Sequence, residues 1–92
     1  MLVKFIQVNK GIVGTQTSLR EVYLNPMHII SVTDDNHANQ NLISEAVHLG
    51  LESNVRFSRV TIHEGNTTNS LIIIGTPHEI FKKIKQKQIL RG

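Results

Sequence analysis

The stretch Leu71-Ile72-Ile73-Ile74-Gly75-Thr76-Pro77-His78-Glu79 fixes a strand-to-helix boundary almost to the residue. Four consecutive large aliphatics ahead of a glycine read most simply as a central strand buried on both faces. Thr76 then supplies a hydroxyl at the N-cap. Pro77 suits the first helical position, where its missing N–H would have had no partner anyway. Glu79 stands three residues beyond Thr76 and completes a capping box. Ile80, Phe81 and Ile84 follow on one face, so the helix is expected to fold back onto the sheet through those three side chains.

The remaining elements are read outward from that boundary. Residues 2–9 alternate at near-strand period, with Val3 and Phe5 turned to the core, and residues 19–24 form a second strand. Pro26 stops it, because proline has no N–H for a ladder and biases Asn25 away from helix. Residues 27–33 read as a third strand; the alternative is a single helical turn after Pro26 with the strand starting at Ile29. Ala38, Leu42, Ala46 and Leu49 recur at three-to-four spacing behind the cluster Asp34-Asp35-Asn36-His37, which predicts an amphipathic helix of about three turns ending near Gly50. Val55, Phe57, Val60 and Ile62 make a further strand whose period breaks once, suggesting a bulge. A turn over residues 64–69 joins it to the Leu71–Ile74 run as an antiparallel hairpin. The expected fold is α+β: a small antiparallel sheet of about five strands, with the inserted helix and the C-terminal helix packed on one face.

At 92 residues the chain suits one domain, residues 1–92. A domain of that size buries only about 60% of the surface its unfolded chain exposes. With 39% hydrophobic and 4% aromatic residues the core must be aliphatic and small, which favours a homo-oligomer. The absence of cysteine excludes disulfides, thiolate metal sites and cysteine nucleophiles, and fits a reducing cytoplasm. No apolar run approaches the length of a membrane span, and no membrane partner is expected.

Charge is concentrated at one end. From residue 79 onward Lys82, Lys83, Lys85, Lys87 and Arg91 stand against Glu79 alone, a net of +4, whereas the first 78 residues carry −1. The pI of 9.6 therefore describes one element. A helix bearing those five cations, extended by Arg56 and Arg59 if their strand exposes them, is a candidate surface for nucleic acid (RNA weakly preferred over DNA) or another acidic partner. A lysine face is also the ordinary solvated side of an amphipathic helix, and aromatics for stacking bases are scarce: there is one Tyr and no Trp. Ile89 and Leu90 lie off the apolar face and suit packing on another subunit. A regulator that meets a larger protein through the inserted helix and the sheet edge is the alternative.

The remaining chemistry lacks parts. The five histidines never stand at the close helical spacing of a metal pair, and Asp34, Asp35 and His37 fit a turn or cap better than a cation site. His63–Glu64, or His28 with a lysine, would need to meet in space to serve as an acid/base pair. No phosphate-binding glycine loop or nucleophile elbow is present. Neither an enzyme nor a cofactor is expected.

One likeness emerges from the order of elements. Arg20-Glu21-Val22-Tyr23-Leu24-Asn25-Pro26-Met27-His28-Ile29-Ile30-Ser31-Val32 resembles the opening of short flagellar FlbD-like proteins, and Ile72-Ile73-Ile74-Gly75-Thr76-Pro77-His78-Glu79-Ile80 resembles their ending. Phage genomes carry similar small β-rich proteins. The likeness covers about two-thirds of the domain, and residues 35–54 and the N-terminal strand with its loop are additions to it. It implies a small accessory protein of bacterial or phage origin and brings no catalytic residues.

Overall fold

The structure, a computed structural model, describes residues 1–9, 17–41, 50–52 and 54–90, with side chains at 41 and 87–90 left aside. Strands β1 (Val3–Asn9) and β2 (Ser18–Leu24) are followed by a 3-10 turn (Pro26–His28), β3 (Ile29–Asp34) and helix α1 (Asn36–Asn41). Then come β4 (Phe57–Glu64), β5 (Thr67–Ile74) and helix α2 (Pro77–Leu90). The five strands form one sheet in the order β2-β1-β5-β4-β3, and every pair is antiparallel. This is the expected α+β architecture, with the Leu71–Ile74 run in its central strand.

Asn25 explains the turn after β2. Its side chain accepts a hydrogen bond from Met27 N–H at 3.0 Å, and Pro26 opens a single 3-10 turn, so the third strand starts at Ile29 and not at Met27. That short link also shapes the sheet. Residues 25–28 must join the two edge strands, and five Cα–Cα steps reach at most about 18 Å. Four strand spacings in a flat sheet already require about 19 Å, so the sheet curls. Val22 and Leu24 of β2 and Ile29 and Val32 of β3 accordingly join one cluster with Val3, Phe5, Val60, Ile62 and Ile73 on the concave side. Ile80 and Ile84 of α2 close that cluster.

The period break in β4 has a different origin from a bulge. Val60 and Ile62 belong to the concave cluster, whereas Phe57, an odd number of residues away, is buried on the other face with Val8 and Ala38. Each half of β4 alternates normally; what changes along the strand is which face is covered. The irregularity in pairing lies on β3, between Ile29 and Ser31. The two helices therefore do not share a face: Ala38 of α1 packs behind the sheet and Ile80 of α2 in front of it. Residues 42–49, where the rest of the inserted helix was expected, lie outside the described residues.

The β4–β5 hairpin is tighter than its polar composition suggests. Glu64 pairs with Thr67, leaving Gly65 and Asn66 alone in the loop, with Gly65 at φ +58. Glycine at the first loop position is what a two-residue turn compatible with strand twist requires. Thr67, Thr68 and Asn69 are paired strand residues, not turn. At the other end of β5, Gly75 turns the chain at φ +127, and its N–H donates to the Arg56 carbonyl at 2.8 Å. The capping box beyond it is complete. Glu79 N–H donates to Thr76 Oγ1 at 3.1 Å, and Thr76 N–H donates to Glu79 Oε1 at 3.2 Å.

Candidate partner-binding surface

The described cations among the seven singled out from the sequence do not form one patch. Arg59 lies between Ser58 and Val60 on β4, so its side chain leaves the sheet on the face opposite α2. There its guanidinium stands 3.0 Å from Asp35 Oδ2, on an aspartate side chain only 5% exposed. Asp35 Oδ2 accepts no hydrogen bond among the described residues, so its charge is met by Arg59 without hydrogen-bond alignment. Arg56 donates to Asp34 Oδ2 at 3.1 Å. Both arginines thus neutralise the acidic pair at the start of α1. Asp34 and Asp35, considered with His37 as cation ligands, are committed to this role: Asp35 Oδ1 also caps α1 by accepting from Ala38 N–H at 3.0 Å.

Helical rotation divides the lysines. At about 100° per residue, Ile80 and Ile84 lie some 40° apart and point into the sheet. Lys83 falls on the flank toward β1. Its ammonium stands 5.0 Å from the Phe5 ring centroid and donates to the Lys4 carbonyl, so the side chain is folded onto the sheet. Phe81, Lys85, His78 and Lys82 fall in the opposite sector, where they border one shallow depression with Gln86. Lys82 and Lys85 are exposed and have no ion-pair partner among the described residues. The side chain of Lys87, residue Arg91, and the side chains of Ile89 and Leu90 lie outside the described residues.

Phe81 departs from the sequence expectation. It is 59% exposed and takes no part in the core that Ile80 and Ile84 complete. Its ring instead borders a groove between α2 and β3, lined by Ile30, Val32, Pro77, His78 and Ile84 with it. Ile30, in the irregular pairing of β3, is 57% exposed at the same groove. Sequence reasoning missed both residues. A helical wheel carried a signal for Phe81, which sits about 100° from Ile80 and about 60° from Ile84. Nothing local announced Ile30.

The described histidines lie on separate elements, and His48 lies outside the described residues. His28 and His63 meet at a second shallow depression with Tyr23 and Glu64, where the end of β2 approaches the tip of β4. His78 lies on α2 and His37 on α1. Among the described residues no group of three His, Asp or Glu side chains is placed to hold a metal ion. No helix among them is long and apolar enough to cross a membrane. No protein-family model matches the chain, and neither a curated protein nor a solved structure matches it.

Proposed function

We propose that this protein is a non-catalytic binding module that takes an acidic partner on the outer face of α2. One observation carries the reading: Lys82 and Lys85 stand exposed and unpaired among the described residues, beside exposed Phe81 and the apolar groove. The other described cations of the basic surface are engaged elsewhere: Arg56 and Arg59 with aspartates, Lys83 with the sheet. Two lysines beside apolar surface favour a partner that offers acidic and apolar groups together over a bare phosphate chain, which requires many cations in a row.

Nucleic acid is the second reading. It is favoured by the exposed Phe81 ring, which offers a stacking surface for a single-stranded base beside two lysines.

The test is equilibrium binding of poly-glutamate, single-stranded RNA and single-stranded DNA at several salt concentrations, with the wild type and a Lys82→Gln/Lys85→Gln variant. Binding to at least one polyanion that weakens with salt, and weakens further in the variant, is expected. The reading fails if none binds at low salt, or if the variant binds as the wild type does.

A further inference from the structure

The two edges of the sheet are protected differently. β2 carries two charges at its middle: Arg20 donates to Gln7 Oε1 at 2.8 Å, and Glu21 lies 3.8 Å from the Lys4 ammonium. Such charges are a usual guard against pairing with another strand. On β3 the stretch Ile29-Ile30-Ser31-Val32-Thr33 has none, and its one acid, Asp34, is at the far end and held by Arg56 and Asn39. β3 pairs with β4 on its inner side and with no strand on its outer side among the described residues. A row of backbone N–H and C=O groups is thereby left for another chain.

That unguarded edge borders the groove. β3 forms one wall and α2 the other, so a strand laid against β3 would send alternate side chains toward Ile30, Val32, Phe81 and Ile84. Among the described residues no acid lines the groove or the adjoining depression, and Lys82 and Lys85 overlook it with His78. The occupant must therefore bring apolar side chains at alternate positions and negative charge beside them. A second copy of this chain fits poorly. A twofold axis through β3 would set two α2 helices on the same face of a joined sheet, lysines toward lysines.

We propose that β3 and the groove beside α2 take an extended acidic segment of a partner protein, which adds a strand to the sheet by main-chain pairing. The proposal rests on the acidic-partner reading and names the partner's form. Main-chain hydrogen bonds to β3 supply registry, two alternate apolar side chains enter the groove, and flanking carboxylates meet Lys82 and Lys85.

The probe is a blocked heptapeptide, acetyl-EEVTVEE-amide, titrated into isotope-labelled protein, with hydrogen exchange of backbone amides as the second readout. Slowed exchange confined to residues 30–33 of β3 is expected on binding. N-methylation of alternate peptide amides, which leaves charge and side chains intact, should abolish that protection with the protein unchanged. Lys82→Gln/Lys85→Gln should weaken the peptide about tenfold, the sum of two exposed ion pairs, and Phe81→Ser should weaken it without unfolding the protein. Equal binding of the N-methylated peptide would overturn the proposal. So would β3 protection that appears on raising protein concentration alone, with dimers in sedimentation, since the occupant would then be a second copy. Poly-glutamate that binds through Lys82 and Lys85 while the peptide does not would overturn it but leave the acidic-partner reading standing; a decamer of uridylate that alone binds, at Phe81, would overturn it in favour of nucleic acid. Failure of peptide, poly-glutamate and oligonucleotides alike would remove both.

Discussion

The side-chain amide of Asn39 holds both backbone polar groups of Phe57. Phe57 N–H donates to Asn39 Oδ1 at 2.7 Å, and Asn39 Nδ2 donates to the Phe57 carbonyl at 3.3 Å and to Asp34 Oδ1 at 3.1 Å. A buried asparagine on α1 thus takes the place of a further strand residue at the point where the β3–β4 ladder ends. Asp35 N–H also donates to the Phe57 carbonyl, at 3.1 Å, so the start of α1 is bound to the start of β4 through the backbone.

Asn39→Ala is expected to lower stability by about 2–3 kcal/mol, because it leaves the buried Phe57 N–H without an acceptor. Asn39→Asp should cost at least as much, since it turns a buried carboxylate toward the Phe57 carbonyl and the Asp34 carboxylate, to both of which Asn39 Nδ2 now donates. Urea unfolding measures the difference. An alanine variant with an unchanged midpoint would show that the contact contributes nothing net.

The two arginine–aspartate pairs should differ in worth. Arg56 and Asp34 are each more than 40% exposed at the side chain, so Arg56→Met is expected to cost under about 1 kcal/mol. Arg59→Met leaves the Asp35 carboxylate, 5% exposed, without its countercharge, and should cost about 2 kcal/mol or more. Equal losses in thermal or urea unfolding would contradict this ranking.

Phe81 and Ile80 are adjacent in sequence and opposite in role. Ile80, 2% exposed, closes the concave core, so Ile80→Ala is expected to cost about 2–4 kcal/mol. Phe81→Ser, at a 59% exposed site, should cost under about 1 kcal/mol. If Phe81→Ser destabilises as much as Ile80→Ala, the ring belongs to the core and the groove has been misassigned.

The cap of α2 provides a further check. Thr76→Ala removes the acceptor for Glu79 N–H and should cost about 1 kcal/mol. Glu79→Gln keeps a side-chain acceptor for Thr76 N–H and should cost less. The ordering is read from melting temperatures of the two variants.

What the sequence by itself determined was local. The capping box of Thr76 and Glu79, the Asn25-Pro26 break, the Gly65 turn and the aliphatic run of β5 each depend on residues a few positions apart, so their chemistry is visible in order along the chain. Five strands and a capped C-terminal helix followed from those signals. The faces did not. That Phe57 turns to α1 while Val60 turns to α2, that Lys83 is drawn back to Phe5 while Lys82 and Lys85 stay outside, and that Arg59 meets Asp35 from the neighbouring strand are outcomes of how the strands pair and where the helices pack on the sheet. The seating of α2 on the sheet buries Ile80 and Ile84 and leaves Phe81 and Ile30 at the groove. It thereby divides the one basic helix seen in the sequence into a flank bound to the sheet and a flank open to a partner.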